Sequence, residues 1–111
     1  MTITIYHNPR CSKSRQAVQF LQEQNIPFQT HLYLEEPMPK EVLKKALETL
    51  GDAIIRTGEA DYKTHIKGQN LSTDALAEAM LAHPKTIERP LLTHGDKMAV
   101  ARPLENIQGI L

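Results

Sequence analysis

The residue best suited to chemistry is Cys11, the only cysteine of this 111-residue chain. Polar and apolar side chains alternate over residues 2–6, which predicts a half-buried strand. From residue 17 to residue 24, apolar side chains recur at helical spacing without Pro or Gly, which predicts a helix. Cys11 is therefore expected directly after a strand, at or beside the N-terminus of a helix.

A position at a helix N-terminus would make the thiol of Cys11 reactive. The first backbone N–H groups of a helix have no intrahelical partner and carry the positive end of its dipole. Arg10, Lys13, Arg15 and His7 would add positive charge nearby. Such surroundings lower a cysteine pKa from about 8.5 to roughly 3.5–7.5, and the same N–H groups bind oxyanions. We expect a nucleophilic thiolate in an anion-binding loop, rather than the buried, inert state common for free cysteines.

Composition excludes several classes of protein. Thirteen basic and thirteen acidic residues cancel, so no overall charge attracts nucleic acid or an anionic membrane. The single cysteine excludes an internal disulfide and fits a reducing compartment. There is no signal-peptide pattern and no apolar run long enough to span a bilayer. We expect one soluble cytoplasmic domain over residues 1–111. We also expect no metal site, because no two of the five histidines have ligand spacing.

Further patterns predict how the chain continues after the first helix. Residues 28–33 alternate again, so the chain is expected to begin with a right-handed βαβ unit of parallel strands. A helical insertion is expected over about residues 36–85. It is predicted to begin with a helix opened by Pro39 and ended by Gly51, followed by a short helical turn capped by Asp52. A loop or irregular helix is expected over residues 59–68, and then a helix capped by Ser72 and stopped by Pro84.

A β-hairpin is predicted near the C-terminus. Two apolar segments, 91–93 and 97–100, flank Gly95-Asp96, a pair typical of a two-residue hairpin turn. Pro103 is expected to open a short helical segment over residues 104–107. The order of βαβ unit, helical insertion, hairpin and short helix predicts an α/β protein with one mixed sheet and a thioredoxin-like architecture.

Two Arg-Pro dipeptides bracket the predicted hairpin. Arg89-Pro90 precedes its first strand, and Arg102-Pro103 follows its second. Because a hairpin brings its two ends together, these guanidinium groups are expected to converge, and Arg56 is a candidate for a third. One arginine alone would more often be a solvated surface charge. Guanidinium groups are planar forks of donors that match the oxygens of an oxyanion. Holding two or three of them together costs free energy, because their charges repel one another unless an anion lies between them.

Four segments in this order resemble the glutaredoxin-coupled arsenate reductases, the ArsC family of the thioredoxin-like superfamily. The resemblance extends from about residue 3 to residue 107. Its segments are Tyr6-His7-Asn8-Pro9-Arg10-Cys11 with Ser14-Arg15, Leu32-Tyr33-Leu34-Glu35, Glu88-Arg89-Pro90-Leu91 and Ala101-Arg102-Pro103.

This resemblance implies a role for each candidate residue. Cys11 would be the nucleophile, His7 would help to activate its thiolate, and Ser14 would hydrogen-bond that thiolate. The implied oxyanion-binding residues are Arg56, Arg89 and Arg102, with Ser12 and Arg15 in the substrate-binding loop. The peptide bond before Pro90 would be cis.

The resemblance also implies a reaction and its partners. The thiolate would attack arsenate, glutathione would act as co-substrate, and glutaredoxin would restore the thiol, with arsenite as the product. We expect no tightly bound cofactor and a monomeric protein. A lone cysteine agrees with this scheme, because the second thiol must then come from another molecule.

Other thiol proteins fit less well. A dithiol oxidoreductase needs Cys-x-x-Cys, but Ser14 occupies the second cysteine position. A phosphatase-like loop needs an arginine six residues after the cysteine, whereas here Arg15 follows four residues after it. The alternative left open is an ArsC-related thiol protein that acts as a redox-responsive regulator or partner-binding module without arsenate turnover.

Overall fold

A computed structural model describes residues 2–111 and shows a mixed α/β architecture, as predicted. Four strands and four α-helices follow the order β1, α1, β2, α2, α3, α4, β3, β4. The strands are β1 (Ile3–Tyr6), β2 (Phe28–His31), β3 (Leu91–His94) and β4 (Lys97–Val100). The helices are α1 (Ser12–Glu23), α2 (Lys40–Leu50), α3 (Ala60–His65) and α4 (Thr73–Ala82), with 3-10 segments at Gly51–Ile54, Pro84–Thr86 and Leu104–Ile110.

The four strands form one mixed sheet in the order β2-β1-β3-β4. Strand β1 pairs parallel with β2 and antiparallel with β3, so Ile5 lies between Thr30 and Leu92. Strands β3 and β4 form the predicted hairpin, with Gly95 at a φ of 63° in its turn. Both the parallel βαβ unit and the hairpin are therefore confirmed.

A buried cluster fixes α1 and the C-terminal segment against this sheet. Ile5 and Leu92 of the sheet, Leu21 of α1 and Ile107 of the C-terminal segment are each almost completely buried. Burying side chains of this size contributes roughly 1.5–3 kcal/mol each. The cluster therefore positions the N-terminus of α1 beside the end of β1.

The chain separates into two compact units. One contains the sheet, α1 and the C-terminal segment, and the other is the helical unit Pro37–Glu88. Within the helical unit, Ser72 accepts a hydrogen bond from the Ala75 N–H, and Gly51 ends α2 with a φ of 59°, as predicted. That the whole chain is one domain with an insertion stays a prediction. No helix among residues 2–111 is long and apolar enough to cross a membrane.

Four local predictions need correction. Pro39 precedes α2 as its N-cap, and the helix begins at Lys40. Asp52 lies inside a 3-10 turn that already begins at Gly51, and the residue in the N-cap position is Leu50. Residues 59–68 contain the regular helix α3, which is too short to show a clear period. The C-terminal segment continues to Ile110, since Ile107 and Ile110 are both buried at the three-residue spacing of a 3-10 helix.

Candidate active site

Cys11 is the N-cap residue of α1, as the sequence predicts. The loop from β1 reaches this position through a turn in which the Cys11 N–H donates to the Asn8 carbonyl at 3.0 Å. The Asn8 side-chain oxygen accepts from the Arg10 N–H at 3.0 Å, a local bond that is typical of Asn in turns. Asn8 therefore shapes the loop that presents the thiol. Sequence reasoning gave it no role, although the Asn8-Pro9 pair is a turn signal.

The two Arg-Pro ends of the hairpin converge at the sulfur. The Arg102 Nη2 lies 3.2 Å from Cys11 Sγ, and the Arg102 Nε donates to the Arg89 carbonyl at 2.8 Å. Arg89 also hydrogen-bonds the thiolate. Both Arg-Pro peptide bonds are cis, which confirms the prediction for Pro90. The predicted convergence of these guanidinium groups is therefore observed.

The surroundings of Cys11 lower its pKa below the ordinary value of a cysteine. Burial acts in the opposite direction, because the side chain is only 7% exposed and a thiolate is poorly solvated there. The Ser14 N–H, the Arg89 guanidinium, the Lys13 N–H and the Arg102 guanidinium all favour the thiolate and outweigh burial. The expected reactive thiol is thus consistent with the geometry of the helix N-terminus and of the hairpin.

Ser14 hydrogen-bonds the Cys11 sulfur through its backbone N–H, whereas its side-chain hydroxyl has other partners. Its oxygen lies 2.5 Å from His7 Nδ1 and accepts a hydrogen bond from the Asn8 N–H at 3.0 Å. Among residues 2–111 these are the hydrogen-bond partners of the hydroxyl, and the group of Ser14 that favours the thiolate is its backbone N–H. The side chain instead ties the loop to the first turn of α1, from a completely buried position.

His7 is held in its neutral form rather than as a cation. Burial, and then the positive charge of Arg15, lower the pKa of His7 below its ordinary value. At neutral pH its Nδ1 can therefore accept the Ser14 O–H. His7 is not among the groups that lower the Cys11 pKa. His7 contacts the Ser14 hydroxyl, and its role in activating the thiolate stays a prediction.

Replacing Ser14 by Ala tests this arrangement. Ser14→Ala would leave the Asn8 N–H and His7 Nδ1 without their partner, at a cost of about 1–3 kcal/mol in the free energy of unfolding. Urea unfolding measures that loss. Ser12→Ala is the matched control, since Ser12 is exposed in the same helical turn. Equal stability of the two variants would contradict the assigned role of the Ser14 hydroxyl.

The remaining candidate residues lie farther along the chain or face solvent. Ser12 and Arg15 are exposed, and the Arg15 guanidinium donates to the Pro9 carbonyl at 2.9 Å. Arg56 belongs to the helical unit, where its guanidinium lies 3.2 Å from Glu59 and 3.8 Å from Glu88. That Ser12, Arg15 and Arg56 help to bind an oxyanion stays a prediction.

A groove of about 290 Å³ runs beside the loop that leads into Cys11. Leu34 on its wall is 47% exposed, one of the few large apolar side chains open to solvent. The groove is lined by one basic side chain, Arg10, and one acidic side chain, Glu35, among apolar and uncharged polar side chains. Its lining residues are His7, Asn8, Pro9, Arg10, Leu32, Leu34 and Glu35.

Together these groups combine a thiol of lowered pKa with several hydrogen-bond donors of the kind that bind anions. The thiolate is flanked by two backbone N–H groups and by two guanidinium groups, all of which can also donate to the oxygens of a tetrahedral anion. Cys11 is the only thiol of the chain, so a disulfide can form only with another molecule. The arrangement suits nucleophilic attack on an oxyanion followed by exchange with an external thiol.

Comparisons with known proteins point to one family. The profile of the ArsC family matches residues 6–110. An arsenate reductase of Neisseria meningitidis is 41% identical over 98% of this chain and 97% of its own length. An arsenate reductase of Haemophilus influenzae is 34% identical, with both chains covered completely.

Solved structures agree with this match. An arsenate reductase from Vibrio cholerae superposes with a TM-score of 0.89 at 41% identity, covering 100% of this chain and 98% of the other. The structural relatives share the thioredoxin-like fold, which confirms the predicted fold class.

Proposed function

The chain belongs to the ArsC family, and we propose that it reduces arsenate to arsenite with the Cys11 thiolate as nucleophile. One observation carries the proposal: the sulfur lies at a helix N-terminus with Arg102 at 3.2 Å and Arg89 beside it. A thiolate and its positive partners are thereby prepared before the substrate arrives. Arsenate has the tetrahedral oxyanion shape that such donors bind.

Binding would place arsenic in front of the sulfur. The Lys13 and Ser14 N–H groups and the two guanidinium groups would turn part of their hydrogen bonding from the thiolate to the arsenate oxygens. Arginine suits this exchange, because its planar fork offers several donors in fixed directions. Arg56, Ser12 and Arg15 are proposed as further oxyanion-binding residues.

In the first step the thiolate would form a bond to arsenic. The sulfur lone pair makes the S–As bond while an As–O bond breaks, and the departing hydroxide takes a proton from solution and leaves as water. Arg89 and Arg102 stabilise the negative charge on the remaining oxygens during this step. Donors fixed in advance in a partly buried site are the most effective kind, since they need not reorganise.

In the second step the sulfur of glutathione would attack Cys11 Sγ. An S–S bond forms, the electron pair of the S–As bond stays on arsenic, and arsenic is reduced from As(V) to As(III) and leaves as arsenite. Each sulfur is oxidised by one electron, which balances the two electrons gained by arsenic. A thiolate of glutaredoxin would then take the glutathione and restore Cys11.

We propose the groove beside residues 7–10 as the site where glutathione binds. Glutathione carries two carboxylates and one ammonium group, and the groove offers the guanidinium of Arg10 for a carboxylate and the carboxylate of Glu35 for the ammonium. The exposed Leu34 provides an apolar surface between them. The groove follows the loop to Cys11, so a tripeptide bound there could bring its thiol to the adduct.

Reversing the charge of Arg10 tests this groove. Arg10→Glu is expected to raise the KM for glutathione about fivefold, or roughly 1 kcal/mol, because it removes one ion pair and adds a repulsion. Steady-state rates at varied glutathione and saturating arsenate measure the effect. Lys97→Glu, a charge reversal on β4 outside the groove, is the control. A KM unchanged by Arg10→Glu would contradict glutathione binding there.

The proposed activity is tested by coupling the reaction to NADPH. The purified chain is mixed with glutathione, glutaredoxin, glutathione reductase and NADPH, and absorbance is followed before and after arsenate is added. The proposal expects NADPH oxidation that depends on arsenate and on the chain. If arsenate adds no rate, the reductase proposal is wrong, and an ArsC-related thiol regulator becomes the better reading.

A further inference from the structure

Three potential metal ligands lie together in the helical unit, apart from the residues discussed above. Asp61, His65 and His83 each offer one ligand atom, and these atoms all lie within 4.8 Å of one another. Asp61 and His65 are four residues apart on α3, so they lie on the same face of that helix. His83 is the C-cap residue of α4.

We propose that Asp61, His65 and His83 bind a divalent first-row transition metal ion of the zinc type. Two imidazole nitrogens and one carboxylate oxygen are ligands that zinc accepts, usually in a tetrahedral arrangement. Magnesium and calcium prefer oxygen ligands throughout, so they fit this set poorly. Three protein ligands would leave the fourth position to water.

The ligand atoms of this cluster are available for a metal. Within the described residues 2–111, the hydrogen bonds at the two histidine positions use backbone atoms: Gln69 donates to the His65 carbonyl and Thr86 to the His83 carbonyl. The side chains of Asp61, His65 and His83 take part in no hydrogen bond or ion pair in that range. Binding a metal would therefore break no existing side-chain bond.

Metal binding requires a small rearrangement of the two rings. The His65 and His83 rings are stacked with centroids 3.9 Å apart and an angle of 6° between planes. A metal must lie in the plane of each ring, so one ring has to turn out of the stack. His65 is exposed and is the last residue of α3, so its side chain can rotate without disturbing buried neighbours. With bond lengths of about 2.0–2.2 Å, the ligand atoms of a tetrahedral site are about 3.4 Å apart, so any pair near the 4.8 Å limit must move closer.

A metal at this site would fasten α3 to the end of α4. Helix α3 has six residues and buries no side chain, and a helix of this length is only marginally stable by itself. Two of the proposed ligands lie on α3 and the third follows α4. The metal would therefore act as a cross-link within the helical unit and raise its resistance to unfolding.

The experiment uses the full chain without a histidine tag, after treatment with a chelator. It is carried out with Cys11→Ser, because the Cys11 thiolate would itself bind zinc. Isothermal titration with zinc chloride is expected to show one saturable site. Cobalt chloride is expected to give visible absorption bands of a tetrahedral complex, which reports coordination directly. Thermal unfolding is expected to shift upward with added zinc.

Three further variants in this background locate the site. His83→Gln and Asp61→Asn are each expected to weaken zinc binding about tenfold or more and to remove the visible cobalt bands. His31→Gln, a change in a histidine of β2, is expected to leave both unchanged. Circular dichroism without metal verifies that each variant is folded. Absence of a saturable zinc site, or binding unaffected by both His83→Gln and Asp61→Asn, would overturn the proposal.

Discussion

Cys11→Ser is expected to reduce arsenate-dependent turnover to less than about one-thousandth of the wild-type rate. The serine hydroxyl has nearly the shape of the thiol but stays protonated at neutral pH. The backbone N–H groups and arginines would still bind arsenate, yet no S–As bond could form. Initial rates in the NADPH-coupled assay measure the loss. A residual rate above a few per cent would show that arsenic is not reduced through this sulfur.

A comparison of the wild type with the same variant tests whether the Cys11 sulfur is a thiolate in the folded protein. Because the fold lowers the pKa of Cys11, it binds the thiolate better than the thiol. The resulting stabilisation is fully present above the pKa of an unfolded cysteine and is lost as pH falls through the folded pKa. The free energy of unfolding of the wild type, relative to Cys11→Ser, should therefore increase with pH between these two values. A difference independent of pH would contradict a lowered pKa.

Arg102→Ala is expected to have the second largest effect, a fall of roughly 100- to 1000-fold in kcat/KM for arsenate. The change removes the guanidinium 3.2 Å from Cys11 Sγ and also the bond from Arg102 Nε to the Arg89 carbonyl. With burial unchanged and one positive partner lost, the pKa of Cys11 must rise. The rate of Cys11 alkylation against pH should therefore shift toward alkaline pH.

Two control variants separate the effect of the Arg102 guanidinium geometry from the effect of positive charge near Cys11. Arg102→Lys keeps a positive charge but loses the planar fork, so it should restore the alkylation profile better than the turnover. Arg15→Ala removes a nearby arginine that is not among the groups lowering the Cys11 pKa. It should leave the alkylation profile close to that of the wild type. Equal shifts for Arg15→Ala and Arg102→Ala would indicate a general effect of charge rather than the contact described.

The elements that carry the site were predictable because their signals are local. Alternation over residues 2–6 and 28–33, and Gly95-Asp96 between two apolar segments, specify the βαβ unit and the hairpin. For residues 59–68 the sequence predicts a loop or irregular helix rather than the regular helix α3, since six residues without a buried side chain show no period. Helix α3 contacts the 3-10 segment Pro84–Thr86, which is distant in sequence, and periodicity within the helix does not record this contact.

The candidate site likewise has features that follow from the sequence and one that does not. The position of Cys11 and the convergence of Arg89 with Arg102 follow from element order, because a hairpin must bring its ends together. The direction of the Ser14 hydroxyl does not follow, since a serine in the first turn of a helix has several partners within reach and tertiary packing selects His7.

The Asp61 cluster was hidden for a similar reason. His65 ends α3 and His83 follows α4, and only the packing of these segments brings the two rings together. Asp61 and His65 do have helical spacing, but the third proposed ligand lies 18 residues after His65, so spacing along the chain does not reveal the set.

The most direct test is the mass of the Cys11 peptide after incubation of the chain with glutathione, without glutaredoxin. With arsenate present, a covalent adduct containing glutathione is expected to accumulate on Cys11, because without glutaredoxin only slow exchange with glutathione removes it. Without arsenate, or without glutathione, that adduct should be absent. Modification that forms equally without arsenate, or a Cys11 that stays unmodified with both compounds present, would contradict reduction of arsenate by this thiolate.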